Sequence, residues 1–269
     1  MMNVELNGTS AGGMYPMGAA RFIDRVAIVT GASRGIGRGV AVALAREGAD
    51  IVLNYASNHA AAEDAANEIR ALGRRCVLAA GSVGDPAVAK ALAQCALNEL
   101  GRIDVLVNNA GIGKDGHLMM LADSTWSSVV DINLHGAFYC TRAVAGVMTA
   151  QGSGAIVNMS SSSGIRGRAG QVTYAATKGA LLGLTTQFAR ELGPWGVRVN
   201  ALAPGFVETD MIDGLLGRPG VRDAFIAATP MRRLGTTDDI AEATLFLASP
   251  ASSFVTGHVM LINGGLLMI

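Results

Sequence analysis

Seven short, unbroken aliphatic runs, separated by longer alanine-rich stretches of helical character, divide the chain from Arg25 onward. The runs fall at 26–30, 50–55, 75–80, 103–108, 155–160, 197–202 and 258–262, and the helical stretches near 35–47, 59–72, 86–99, 123–150, 173–192 and 237–248. Runs that are continuous rather than alternating belong to strands buried on both faces, the condition of a parallel sheet covered by helices. Crossover handedness then places those helices on both sides. The pattern therefore predicts a single α/β domain, a doubly wound seven-stranded parallel sheet, over residues 22–269, preceded by a flexible extension, 1–21. Two helix starts carry cap signals, Asp85 before Pro86 and Thr237 before Asp238 and Asp239. The stretch 205–235 is the one long connection that breaks the rhythm, and long connections in compact domains are commonly functional, so it reads as a lid.

Composition removes several classes of protein. Lysine plus arginine number 21 and aspartate plus glutamate 21, so no excess of basic charge favours a nucleic-acid backbone. Half of the residues are hydrophobic and 16% charged, which argues against disorder. No apolar run approaches the roughly 20 residues that cross a bilayer, and residues 1–21 lack the layout of a secretory signal, so a cytoplasmic protein is expected. Cys76, Cys95 and Cys140 are odd in number and widely spaced, as reduced thiols packed as small hydrophobes would be. His59, His117, His135 and His258 show no ligand spacing, and no metal is predicted. Glycine is the unusual number: 35 of 269 residues, against an ordinary usage of roughly 7%.

Several of these glycines have a purpose. The first strand runs into Gly31-Ala32-Ser33-Arg34-Gly35-Ile36-Gly37 and then a helix. Such a turn lets the backbone approach a pyrophosphate and sets the anion at the helix N-terminus, where free amides and the helix dipole favour negative charge. An ordinary glycine-rich turn is the alternative, but the placement in the first strand–helix unit favours a Rossmann-type nucleotide site. The second strand ends Leu53-Asn54-Tyr55-Ala56-Ser57, with no carboxylate to repel a 2′-phosphate. Arg34 can reach that phosphate as a forked donor and Ser57 can add a hydroxyl, so NADP(H) is expected over NAD(H).

A second constellation lies downstream. Tyr174 and Lys178 are at i and i+4 of one predicted helix and share a face. A phenol is a poor acid or base near neutrality because its unperturbed pKa is about 10, and a neighbouring cation favours the phenolate. Thirteen residues before Tyr174, at the end of a predicted strand, stands the run Ser160-Ser161-Ser162-Ser163. Ser161 can hold a substrate carbonyl there, although spacing alone does not choose among the four serines.

With TGASRGIG at 30–37, NNAG at 108–111, Asn133 in DINLHG, Ser161, Tyr174 with Lys178, PGFVET at 204–209 and the closing Asn263-Gly264-Gly265, the chain resembles the short-chain dehydrogenase/reductase family over nearly its whole length. Within that family it is similar to the 3-oxoacyl-acyl-carrier-protein reductases. The resemblance implies a proton-donating Tyr174, a Lys178 that lowers its pKa and binds the nicotinamide ribose, and a Ser161 that polarises the carbonyl. It also implies an Asn133 that holds a relay water, and a homotetramer. The cofactor would be lined by Ser33, Ile36, Asn54, Tyr55, Ala56, Ser82, Val83, Asn109, Ala110 and Gly111, and closed over by Pro204, Gly205, Val207 and Thr209.

Two departures from the pattern stand out. Ser82 occupies the place where the family often has an aspartate for the adenine amine. Gly152 and Trp195 occupy the places of two arginines that grip an acidic carrier in bacterial fatty-acid reductases, which leaves Arg166, Arg168, Arg218 or Arg222 for docking. The expected activity is NADPH-dependent reduction of a ketone, a 3-oxoacyl thioester first among candidates. A dehydrogenase of a free alcohol, sugar or polyol is the alternative, disfavoured by the lid's Met211, Ile212, Leu215, Leu216, Phe225, Ile226 and Met231. A non-catalytic NADP-sensing scaffold on the same fold has no reason to hold Asn133, Ser161, Tyr174 and Lys178 together.

Overall fold

The computed structural model describes residues 20–114 and 116–268. Seven strands form one sheet: β1 (Val26–Val29), β2 (Asp50–Tyr55), β3 (Cys76–Ala80), β4 (Val105–Asn108), β5 (Gly154–Met159), β6 (Val197–Pro204) and β7 (Val259–Ile262). Their order across the sheet is β3-β2-β1-β4-β5-β6-β7, every neighbouring pair is parallel, and this is the predicted doubly wound architecture. The helices are α1 (Gly35–Arg46), α2 (His59–Ala71), α3 (Pro86–Cys95), α4 (Asp123–Val130), α5 (Gly136–Gln151), α6 (Ser163–Arg166), α7 (Val172–Leu192), α8 (Asp210–Leu216), α9 (Val221–Ala228) and α10 (Thr237–Ala248).

The continuous apolar runs are explained by two cores, one on each face. On β1, Ala27 and Val29 pack into the cluster with α1, α2 and α10, while Val26 and Ile28 pack into the cluster with α3, α5 and α7. On β4, Val105 and Val107 face the first cluster and Leu106 the second. Successive side chains leave opposite faces of a strand, so a strand with helices on both sides must be apolar at every position. Because β1 pairs with β2 on one side and β4 on the other, the chain reverses direction there, and a crevice opens at the carboxyl ends of β1 and β4.

Several boundaries differ from the sequence reading. Residues 123–150 are not one helix: a π-helical turn, Asp131–His135, joins α4 to α5. The cap of α10 is Thr236 rather than Thr237, because Thr236 and Asp239 form a reciprocal capping box that satisfies two amides at once. Asp85 caps α3 as expected, accepting from the Ala87 amide with Pro86 at the first position. The lid contains two short helices, α8 and α9. Arg21 is tied down, donating to Glu47 through its amide and guanidinium, and Phe22 is in the core, so order extends at least to Arg21. The rest of the expected extension, residues 1–19, lies outside the described residues.

Candidate active site

Strand β1 ends in the glycine turn, and two of its residues need glycine for different reasons. Gly31 has φ +62, in the left-handed region that side chains avoid. A Cβ on Gly37 would come within 2.4 Å of Asn109 Nδ2 and of the Gly31 carbonyl. That Asn109 amide donates to the carbonyls of Thr30 and Gly31, so the residue after β4 buttresses the turn after β1. Helix α1 follows with no side-chain cap, leaving first-turn amides for an anion.

A cavity of about 450 Å³ opens over this turn. Its wall contains Gly31, Ser33, Arg34, Gly35, Ile36 and Gly37 from the turn, and Asn54 and Ala56 from the end of β2. Ser82 and Val83 follow β3, Asn109, Ala110 and Gly111 follow β4, and Thr209 comes from the lid. Tyr55 and Ser57 are not in the wall. Side chains alternate along β2, so Asn54 and Ala56 face the cavity while the buried Tyr55 turns away, its hydroxyl 2.7 Å from His59 Nδ1. Pro204, Gly205 and Val207 are also outside the wall. Asn54 has a structural duty as well, its Oδ1 accepting from the Gly31 amide and its Nδ2 donating to the Ala79 and Gly81 carbonyls.

The wall holds residues that sequence reasoning missed, among them Ile112, Ile132 and Asp210, and it also takes in Met211 of the lid. Asp210 is the consequential one, because its Oδ2 lies 3.6 Å from Arg34 Nη1. Nothing in the sequence pairs them, since they are brought together only by the lid crossing the glycine turn.

The four consecutive serines separate by their partners. Ser160 donates to the Lys178 carbonyl at 2.7 Å, Ser162 to the Pro204 carbonyl at 2.9 Å, and Ser163 to Gln171 Oε1 at 3.0 Å. Ser161 instead accepts from the Ser163 amide at 3.1 Å, and among the described residues no group takes its proton. Its O–H is therefore the one of the four left to point at a ligand.

Helix α7 carries Tyr174 and Lys178 one turn apart, with Lys178 Nζ 5.7 Å from the centre of the Tyr174 ring. Close backbone contact fixes this helix against α6: a Cβ on Gly164 would come within 2.6 Å of the Lys178 carbonyl carbon. Lys178 is fully buried, and burial pushes its ammonium down to about 8. Among the described residues it donates one hydrogen bond, to the Met159 carbonyl at 2.6 Å. An ammonium has three protons to give. The π-helical turn turns Asn133 inward, where it is buried, accepts from the Ile112 amide at 2.8 Å, and donates to the Ile112 carbonyl at 3.0 Å and to Thr177 Oγ1 at 3.3 Å.

Gly111 joins the two halves. A Cβ there would stand 3.3 Å from Lys178 Nζ and 3.4 Å from Asn133 Oδ1, while the residue itself lines the cavity above the glycine turn. An uncapped helix, a facing guanidinium, a side-chain-free approach and a buried ammonium with protons to spare form a donor set that fits a dinucleotide diphosphate and its ribose hydroxyls. The three cysteines contribute nothing to this chemistry. Burial pushes the Cys76 thiol up to about 11 and the Cys140 thiol up to about 12, so neither forms a thiolate at neutral pH.

Comparison with known proteins agrees with this geometry. A family model described as enoyl-(acyl carrier protein) reductase matches residues 31–267. The 3-oxoacyl-[acyl-carrier-protein] reductase FabG of Staphylococcus aureus is 42% identical over 246 residues, 91% of this chain and 99% of that protein. The 3-oxoacyl-[acyl-carrier-protein] reductase of Synechocystis sp. is 41% identical over 245 residues, 91% of this chain and 97% of its own. Among solved structures, a gluconate 5-dehydrogenase from Burkholderia cenocepacia in complex with NADP and tartrate superimposes with a TM-score of 0.87 at 36% identity, over 92% of this chain and 97% of that one. The chain belongs to the short-chain dehydrogenase/reductase family of nicotinamide-dependent oxidoreductases.

Proposed function

We propose that this enzyme reduces a 3-oxoacyl thioester to its 3-hydroxyacyl form with NADPH. The observation that carries the reading is the buried Lys178 ammonium, 5.7 Å from the centre of the Tyr174 ring and beside Gly111 of the cavity wall, with Ser161 next in the chain to Ser160, whose hydroxyl bonds the Lys178 carbonyl. The full-length likeness to 3-oxoacyl reductases supports the choice of substrate.

Each residue has a task that its surroundings explain. Lys178 uses its remaining protons on the ribose hydroxyls, and its charge beside the Tyr174 ring favours the phenolate, which makes Tyr174 a better proton donor to an oxygen that is gaining negative charge. Ser161 donates to the same carbonyl oxygen and polarises it. When bound, the dinucleotide supplies the hydride that the carbonyl carbon accepts. Asn133 holds the Ile112 backbone and Thr177 against the site, and with them the spacing between the cofactor wall and α7. Arg34 and the uncapped end of α1 hold the phosphates, and the absence of a carboxylate at Asn54–Ser57 leaves room for the 2′-phosphate of NADPH.

A homotetramer acting in the cytoplasm on carrier-bound substrate completes the proposal. Among the described residues no helix is long and apolar enough to cross a membrane. Met268, exposed at the apolar chain end, suits a subunit contact. The second reading, oxidation of a sugar acid, is favoured by the likeness to the gluconate 5-dehydrogenase. The deciding experiment follows NADPH oxidation with acetoacetyl thioesters, free and carrier-bound, beside 5-ketogluconate. Turnover confined to the ketogluconate would replace the proposed substrate class by the second.

A further inference from the structure

Arg168 is on the loop between α6 and α7, seven residues past Ser161 and six before Tyr174. Across from it, Phe206, two residues past the end of β6, stacks on Phe225 of α9 with ring centres 3.8 Å apart and planes 3° from parallel. The Arg168 guanidinium carbon lies 5.5 Å from the centre of one ring and 5.1 Å from the other. Both distances are within cation–π range, so the ring pair holds the side chain in place. The rings carry no negative charge that would pair the guanidinium.

No carboxylate among the described residues pairs it. Among the described residues the Arg168 guanidinium makes no hydrogen bond or ion pair, and Glu208, two residues past Phe206, is taken by Arg222. The loop that carries Arg168 is fixed: its carbonyl accepts from the Gln171 amide, and Gln171 accepts in turn from Ser163. An exposed guanidinium held by an aromatic pair and lacking a carboxylate partner, between α6 and the lid, is a partly preorganised anion receptor, because part of the entropy of ordering it is lost before the ligand arrives.

We propose that Arg168 binds the phosphate end of a phosphopantetheine arm, so that the substrate is recognised by an anionic group remote from its ketone. The inference rests on the thioester reading above and deepens it. The test compares wild type with Arg168→Gln and Arg168→Lys on acetoacetyl-CoA and on the uncharged acetoacetyl-N-acetylcysteamine thioester. Expected is a roughly tenfold larger rise in KM for the CoA thioester than for the uncharged one in Arg168→Gln, with kcat little changed and partial recovery in Arg168→Lys. Equal losses on both thioesters would make Arg168 a latch for the lid, and no loss on either would make it a surface charge; both overturn the proposal. If wild type reduces neither thioester, the thioester reading itself fails. The same variants are then compared on 5-ketogluconate and an uncharged ketone, where a loss confined to the acid would mean that the anion is a carboxylate and not a phosphate.

Discussion

Lys178 Nζ donates to the Met159 carbonyl at 2.6 Å, which ties α7 to the end of β5, the strand that leads into Ser161. The ammonium is buried, and its pKa is depressed to about 8. A cation with a depressed pKa is charged below that value and neutral above it. The proposed roles of Lys178, favouring the Tyr174 phenolate and holding the ribose, should therefore fade as pH rises past about 8. Reduction should show a falling limb in kcat/KM centred near there, and Lys178→Met should lose nearly all turnover at every pH. A flat profile from pH 7 to 10 would contradict the role.

The same residue makes a thermodynamic prediction. The unfolded chain holds the Lys178 proton up to about 10.5 and the folded protein only to about 8, so between those values the unfolded state binds more protons and stability rises with pH. Below about 8 the folded protein carries the cost of a buried charge in full. Lys178→Met removes that dependence. The melting temperature of wild type relative to Lys178→Met should climb from pH 8 to about 10, and a constant difference would show that burial is not what shifts the lysine.

The seven strands are legible in the sequence to within two residues, because a sheet with a core on both faces writes itself as unbroken apolar runs. The lid helices are not. Helices α8 and α9 are seven and eight residues long, so their apolar pairs, Met211 with Leu215 and Val221 with Phe225, repeat over too few turns to be read as a helical period. The π-helical turn at Asn133 is equally silent, since its widened register is a property of backbone spacing and not of residue type. Spacing alone left four serines open and the resemblance chose Ser161; the partners of Ser160 and Ser162, which come from α7 and β6, give that choice a physical reason. The Arg34–Asp210 pair joins residues from opposite ends of the chain and leaves no local trace.

Those four serines form an internal control. Ser161→Ala should lower kcat by about a hundredfold, as removal of one donor to a developing oxyanion does, with the melting temperature unchanged. Ser160→Ala and Ser162→Ala each remove a buried hydrogen bond to a backbone carbonyl, and should cost roughly 1–3 kcal/mol of stability. Tyr174→Phe should bind NADPH with wild-type affinity and lose nearly all turnover. Steady-state kinetics and thermal melts on the set separate chemistry from packing, and a Ser161→Ala enzyme with full kcat would remove it from the mechanism.

Arg34 and Asp210 give the sharpest test of cofactor choice. Their ion pair is 3.6 Å long and both side chains are largely exposed, so it contributes well under about 1 kcal/mol. A 2′-phosphate offers Arg34 a doubly charged, bidentate partner and displaces Asp210 at little cost. Arg34→Ala should therefore weaken NADPH by roughly tenfold or more while barely changing NADH, because only the phosphate is lost. Asp210→Asn should act in the opposite direction. It removes a competing anion from the cavity wall, and should tighten NADPH by roughly two- to fivefold without changing NADH. Dissociation constants from quenching of protein fluorescence, taken at low and high salt, report both. The gain in Asp210→Asn should shrink at high salt, where an exposed charge is screened. Equal effects of Arg34→Ala on the two cofactors would mean that Arg34 reads the shared diphosphate and that NADPH preference is set elsewhere.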